Sequence, residues 1–293
     1  MERTPEITLP AVRAFAAVAA AGSFRAAARE LGVSQPTLSA AVRRFEDSAG
    51  QQLLHRERDG VRLTEHGRRV LPHATALVSA ADDLGSLLAG RDAAPLTIGF
   101  LGEAAASDTR RVLEVIERES GRELRLRRYD FDDPSCGLLS GASDLAIVWP
   151  PLGGDEALAV LPLSTDQRAI ALPAGHPLAA RHTIEPSDLA GQRWLVPGTP
   201  DRRYQAFRHP GHLGITDIAG VTECASIEEI LELAAAGQGL ALSSLSTGEH
   251  YARSGLTFVP LPPAHRCGIA LAWRVSDSRP MLNRIAGALG PGR

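Results

Sequence analysis

The spacing of apolar residues changes character near residue 95, and that change constrains the fold more than any other feature of this 293-residue chain. Before it, apolar residues recur every three or four positions, the period of helices packed on one face. After it, short aliphatic runs alternate with helical patterns, which predicts an α/β domain with largely parallel sheets. The junction from Leu88 through Gly90, Arg91 and Asp92 to Pro95 has the composition of a hinge. No apolar run approaches the roughly 20 residues that span a bilayer, and the opening residues Met1 to Glu6 carry no basic n-region. A cytoplasmic protein with no membrane partner is expected.

In the first part, Leu9, Val12, Phe15, Val18 and Ala19 form one face of a helix ending at Gly22. Ser23 caps a short second helix with Phe24, Ala27, Ala28 and Leu31 inward, and Gly32-Val33 makes a tight turn. Ser34 caps a third helix that runs to about Ala49, with Pro36 in its first turn, where a missing N–H costs nothing. Its inner face is Leu38, Ala41, Val42 and Phe45, while Pro36, Thr37, Ser39, Ala40, Arg43, Arg44 and Asp47 face out. Small alanines, a short turn and a polar outer face on the third helix describe a helix-turn-helix. The runs 52–56 and 61–63 flank Asp59-Gly60 and read as a hairpin wing. A long helix follows from Thr64. Its residues Val70, Ala74, Leu77, Ala81, Leu84 and Leu88 are spaced 4, 3, 4, 3, 4, a heptad seam read as a dimer contact because a helix between two domains has little core to pack on.

Beyond the hinge, strands are expected at 96–100, 124–129, 145–148, 168–172, 193–196, 239–243, 257–261 and 268–273. Helices are expected over 104–119, near 134–139, and at 201–207, 227–236, 245–253 and 280–289. Composition removes several enzyme classes. All 31 basic residues are arginine, so neither a Walker P-loop nor a pyridoxal Schiff base, both of which need lysine, can be built. No G-x-S-x-G occurs, and Gly237-Gln238-Gly239-Leu240-Ala241-Leu242 lacks the third glycine of a dinucleotide fingerprint. Cys136, Cys224 and Cys267 are far apart in sequence, which suits a reducing compartment and argues against a disulfide scaffold or structural zinc. His209 and His212 are separated by Pro-Gly and read as a surface loop; no metal and no cofactor are expected. Residues 1–69 hold 11 arginines against 8 carboxylates, whereas 91–293 hold 20 against 24, so the basic part is the helical one.

These residues resemble a LysR-type transcriptional regulator. The resemblance is carried by the stretches 14–19 and 22–28, by Leu31-Gly32-Val33-Ser34-Gln35-Pro36-Thr37-Leu38-Ser39, by Arg44-Phe45-Glu46 with Gly50, and by 54–56 with 61–67. Downstream, 141–148, Leu172-Pro173-Ala174-Gly175-His176-Pro177-Leu178 and 235–242 are similar to the family's effector domain. The resemblance implies an N-terminal winged helix-turn-helix (1–66), a linker and dimerisation helix (67–90), and a two-lobed effector domain (95–293) like periplasmic binding proteins. Lobe 1 would be 95–163 with 265–293, and lobe 2 would be 164–264. It also implies a ligand-responsive regulator that binds palindromic promoter DNA as a dimer or tetramer. A solute-binding protein and an enzyme on the α/β part are the alternatives. Ala40 and Ala41 stand where the family often has arginine and glutamine, which narrows direct base reading, and Leu54 replaces a usual phenylalanine.

Chemistry assigns candidate roles. Gln35 can pair with the N6 and N7 of adenine, Thr37 and Ser39 can donate or accept, and Pro36 can touch a thymine methyl. Arg43 can reach a base or a phosphate; Arg25, Arg44 and Arg56 suit phosphates, and Ser34 is chiefly a helix cap. Effector-lining residues are expected at Leu101, Gly102, Glu103, Trp149, Thr199, Arg202, Arg203, Cys224 and Ser226, where strand ends and helix starts converge. Ser226 before Ile227-Glu228-Glu229 reads as a helix start able to take an anion. Arg202 or Arg203 can pair a ligand carboxylate, whereas Glu103 favours an amine or hydroxyl, and the residues leave both open. The small-molecule effector is expected to be an anion sooner than a cation. Cys224 reads as buried packing in preference to a redox sensor, since no second cysteine is near it in sequence.

Overall fold

The computed structural model describes residues 7–57, 60–88, 94–102 and 108–290. Asp59 of the expected wing turn, hinge residues 89–93, Glu103, and residues 104–107 of the helix expected over 104–119 lie outside these. Three helices open the chain: α1 (Leu9–Ala21), α2 (Phe24–Glu30) and α3 (Gln35–Ala49). Side-chain chemistry sets their ends. The Ser23 hydroxyl accepts from the Ala26 N–H, the Ser34 hydroxyl accepts from the Thr37 N–H at 3.2 Å, and Gly22 and Gly50 close α1 and α3 in the left-handed conformation. The inner faces meet in a small core where the Phe15 and Phe45 rings lie 5.3 Å apart. An antiparallel ribbon of β1 (Leu54–Glu57) and β2 (Gly60–Leu63) is pinned to α3 by Glu46, whose Oε1 accepts from the N–H groups of Leu53 and Leu54 at 2.9 and 3.1 Å.

The long helix α4 (Glu65–Leu88) begins where the Thr64 hydroxyl accepts from the Gly67 N–H. Gly67 is required there, because a Cβ at this position would sit 2.0 Å from the Leu53 carbonyl oxygen. Leu71 and Ala74 are buried in the core of the helical domain, and Arg13 of α1 grips Asp82 through two hydrogen bonds. The expected seam is therefore corrected at its start: Ala74 faces its own domain, since α1 supplies the core that a linker helix was expected to lack. Further along, Leu77, Leu84 and Leu88 are 47, 57 and 80% exposed, so this part of the apolar stripe is bare in the single chain.

The α/β part continues with β3 (Leu96–Leu101), α5 (Thr109–Ser120), β4 (Leu124–Tyr129), β5 (Leu145–Val148) and β6 (Leu158–Pro173). Then come β7 (Gln192–Pro197), α6 (Arg202–Arg208), β8 (Ile218–Cys224), α7 (Ile227–Ala235), β9 (Leu240–Ser244), α8 (Leu245–His250), β10 (Leu256–Pro260), β11 (Arg266–Arg274) and α9 (Pro280–Leu289). The strand order is β4-β3-β5-β11-β6-β9-β7-β8, with β10 also on β6. β3 runs parallel to β4 and β5, and β7 parallel to β8 and β9, but β11 and β6 run antiparallel to every partner they have. The sheet is thus mixed instead of largely parallel, because the two antiparallel strands are the ones that carry the chain between lobes. Along β6 the partner changes: residues through Gln167 pair with β11, and from Arg168 onward they pair with β9 and β10. Each lobe has its own core, one around Ile98, Ile116, Ile147 and Leu271, the other around Ile170, Trp194 and Val259.

The segment expected as a helix near 134–139 is a series of turns. The Asp133 carboxylate accepts from the N–H groups of Ser135 and Gly137, and Cys136 and Gly137 take φ values of 53° and 82°, which no right-handed helix allows. Strand β8 and the first half of β6 were not expected from the pattern.

Candidate functional site

Two surfaces gather the chemistry. On the helical domain, α3 turns its buried stripe of Leu38, Ala41, Val42 and Phe45 inward and exposes Gln35, Pro36, Thr37, Arg43 and Arg44, with Ser39 half-buried. Ser34 is exposed as the cap, and its hydroxyl also shares a 2.7 Å hydrogen bond with that of Thr37. The Glu46 clamp brings the wing alongside, so Arg43 and Arg56 line one depression. Arg56 extends over the Phe24 ring, 4.4 Å from its centre, and Arg25 is exposed on the neighbouring helix α2. An exposed helix face of amide, hydroxyl and guanidinium groups beside an arginine-bearing ribbon can enter a major groove and hold the flanking phosphates.

The second surface is a cleft of about 710 Å³, including its mouth, between the two lobes. Lobe 1 contributes Leu101, Gly102 and Trp149 at strand ends, and lobe 2 contributes Tyr204, Phe207 and Arg208 from α6 and Ile227 and Ile230 from α7. The β6/β9 strand pair forms its back, with Arg168 directly opposite Ser244 in the ladder. Arg168 is 3% exposed; one Nη donates to the Phe207 carbonyl at 2.8 Å and the guanidinium stacks on the Phe207 ring. Burial, with a smaller contribution from nearby Arg208, lowers its pKa to about 10, so it stays charged at neutral pH. The Ser243 hydroxyl oxygen, also in this wall, is buried without a hydrogen-bond partner among the described residues. The cleft is lined mainly by apolar and aromatic side chains with a few convergent polar groups, the usual form of a small-molecule site.

Residues 89–289 match the LysR substrate binding domain, and residues 9–68 match the bacterial regulatory helix-turn-helix protein, lysR family. The chain belongs to the LysR family. It is 31% identical over 299 residues to a probable hydrogen peroxide-inducible genes activator of Mycobacterium avium, covering 99% of this chain and 95% of that protein. A small neutral protease regulatory protein of Streptomyces coelicolor is 36% identical over 215 residues, 67% of this chain and 66% of that one. A full-length OxyR variant from Pseudomonas aeruginosa superposes with a TM-score of 0.65 at 25% identity, covering 97% of this chain and 95% of that chain. The protein is accordingly a ligand-responsive, DNA-binding transcriptional regulator of the LysR type, and regulators of this type form oligomers.

Within this LysR-type regulator the residues expected at the effector site divide. Leu101, Gly102 and Trp149 line the cleft, and Glu103 lies outside the described residues. Arg202 and Arg203 do not line it: the stripe of α6 that faces the cleft is Tyr204, Phe207 and Arg208, and a rotation of 100° per residue leaves both earlier arginines exposed. Thr199 accepts from the Asp201 N–H and supports the turn into α6. Ser226 caps α7 by accepting from the Glu229 N–H, and the Glu229 carboxylate reaches back to the Ala225 N–H, so the helix start carries its own anion. Cys224 is 1% exposed in a core shared by both lobes; burial, aided by Glu229, pushes its pKa up to about 11. His209 caps a short turn through its Nδ1, and the His212 ring lies against Phe207. Sequence reasoning missed Arg168, Arg208 and Ser243. Arg208 follows Tyr204 and Phe207 at helical spacing, a signal the sequence does contain, whereas Arg168 and Ser243 reach the cleft only through the pairing of β6 with β9, which sets them on opposite faces of the sheet.

Proposed function

We propose that the protein binds promoter DNA as a dimer or a dimer of dimers, and that an effector in the interlobe cleft changes the relative angle of its DNA-binding units. The observation that carries this reading is the continuity of one helix: α4 is fixed to the helical domain at Leu71, Ala74 and Asp82 and presents an unfilled apolar stripe at Leu77, Leu84 and Leu88. Pairing two such stripes sets two copies of α3 on adjacent major-groove turns of a palindrome. Gln35 reads a base with Thr37, Ser39 and the Pro36 ring beside it. Arg43 contributes at a base or phosphate, and Arg25, Arg44 and Arg56 hold phosphates while Ser34 fixes the helix start. The work is done in the cytoplasm, where the DNA is, and without catalysis.

Two of the relatives named above are a peroxide-inducible activator and an OxyR. A thiol sensor needs an accessible thiolate; burial instead holds Cys136 and Cys224 protonated, and Cys267 in the cleft wall is also buried. Reversible ligand binding in the cleft is the reading that the lining favours. Light scattering of the intact protein with and without its upstream DNA tests the assembly; a monomer in both conditions overturns it.

A further inference from the structure

We infer that the effector is a monocarboxylate with an apolar, aromatic-sized body, its carboxylate held by Arg168 on the strand that joins the lobes. This rests on the reading of the cleft as the effector site. Buried charges in folded proteins are paired, and Arg168, nearly fully buried, has no carboxylate partner among the described residues. The groups that affect its titration are Arg208 and Cys267, and the nearby His212 is in turn pushed down by burial, Arg168 and His265. Among the described residues, that end of the cleft is a concentration of positive charge with no carboxylate paired to Arg168. Arg208 is already engaged, donating to the Trp149 and Tyr204 carbonyls and lying flat on the Tyr204 ring, so Arg168 is the guanidinium with donors to spare.

A carboxylate satisfies that cation, its two oxygens accepting from the guanidinium N–H groups. The remaining wall of Trp149, Tyr204, Phe207, Ile227 and Ile230 suits an apolar body, and one cation with capacity suits one negative charge in preference to a phosphate dianion. Asp130 and Glu228, the acidic groups toward the far side, are both engaged by Arg128. Arg168 also occupies the hinge itself. Its N–H donates to the His265 carbonyl, its carbonyl accepts from the Leu261 N–H, and β6 changes partner at this residue. A ligand held there acts on both strands that connect the lobes.

The test titrates the full-length protein with phenylacetate, 3-phenylpropionate and hexanoate, against phenylacetamide, phenethylamine and phenyl phosphate, following thermal shift and calorimetry. Variants are Arg168→Gln and Ile227→Trp, the second filling the cleft wall. Expected is binding of at least one carboxylate below about 10 mM and none of the amide, at least tenfold weaker in Arg168→Gln. Unliganded Arg168→Gln is expected to melt at or above the wild-type temperature, because an unpaired buried charge has been removed. The inference is overturned if no carboxylate binds, if the amide, amine or phosphate binds as well, or if Arg168→Gln keeps full affinity. Binding lost in Ile227→Trp but kept in Arg168→Gln leaves the cleft standing and removes the anchor; binding kept in Ile227→Trp removes the cleft reading as well.

Discussion

Gln35 and Arg56 sit on the same exposed face but are expected to fail in different ways. Gln35 projects from the first turn of α3, so Gln35→Ala is expected to cost about 1–3 kcal/mol on the preferred site and to relax preference at one base pair. Arg56→Ala is expected to weaken all sequences alike and lower the salt slope by about one, if the wing guanidinium holds a phosphate as proposed. Titration of both variants against a set of single-base-pair operator changes at two salt concentrations separates these outcomes, and equal loss of preference in both contradicts the division. At Cys224, a thiol pKa of about 11 leaves roughly one molecule in a thousand ionised at pH 8. Alkylation of the native protein at Cys136 and Cys224, followed by peptide mass spectrometry, is therefore expected to run at least about 100-fold slower than in urea. Native rates equal to the unfolded rates would contradict the burial argument. Candidates on the DNA face were legible because a capped helix carries its own geometry: Ser34, Pro36 and the 3.6-residue period fix which side chains face out. Arg168 was not legible. In sequence it opens the run Ala169-Ile170-Ala171-Leu172 and looks like any strand start, and its meaning comes from the pairing with Ser244 and the fold of α6 over it.

A continuous apolar run and a helical apolar period were the clearest signals: β5 is buried throughout and α9 buries one face. β5 and α9 have the bounds expected from their patterns, whereas β8 is a sheet-edge strand with most of its residues exposed or half-buried, so its pattern lacks the apolar alternation that marks a strand. The first half of β6 is a connector between lobes and is likewise only partly covered. The turns at 134–139 contain Leu138 and Leu139 at a plausible helical position, but Asp133 captures the backbone locally and ends any helix. The linker helix gives two predictions. Leu77→Glu with Leu84→Glu is expected to dissociate the dimer while leaving far-ultraviolet circular dichroism unchanged, because both side chains are already exposed in the single chain. Retention of the dimer by light scattering would move the interface elsewhere. Gly67→Ala places a Cβ 2.0 Å from the Leu53 carbonyl and is expected to destabilise the helical domain by about 2 kcal/mol or more, read as a lower thermal midpoint. An unchanged midpoint would mean that the wing and α4 are not clamped as described.

In the whole molecule the two lobes of the effector domain are joined by β6 and β11. The lobes are bridged by Arg208 on the Trp149 carbonyl, by the Gly153 N–H on Asp201, by the Phe131 N–H on the Ala225 carbonyl, and by the Arg128–Glu228 ion pair. Glu228→Ala removes one bridge and is expected to speed amide exchange at Phe131 and Gly153, with little change in the cores of either lobe. Exchange at those amides equal to wild type would show that the ion pair does not help hold the lobes together. A ligand shifts such an equilibrium only by its difference in affinity for the two arrangements, so tight binding alone is not sufficient for a response. The central claim is that paired copies of α3, held by α4, read two half-sites. It is tested most directly by a hydroxyl-radical footprint of the full-length protein on the DNA upstream of its own gene. The account predicts two protected half-sites separated by about one helical turn, roughly 10 base pairs, both lost together in Leu77→Glu with Leu84→Glu. A single protected half-site, or two that persist in that double variant, would contradict it.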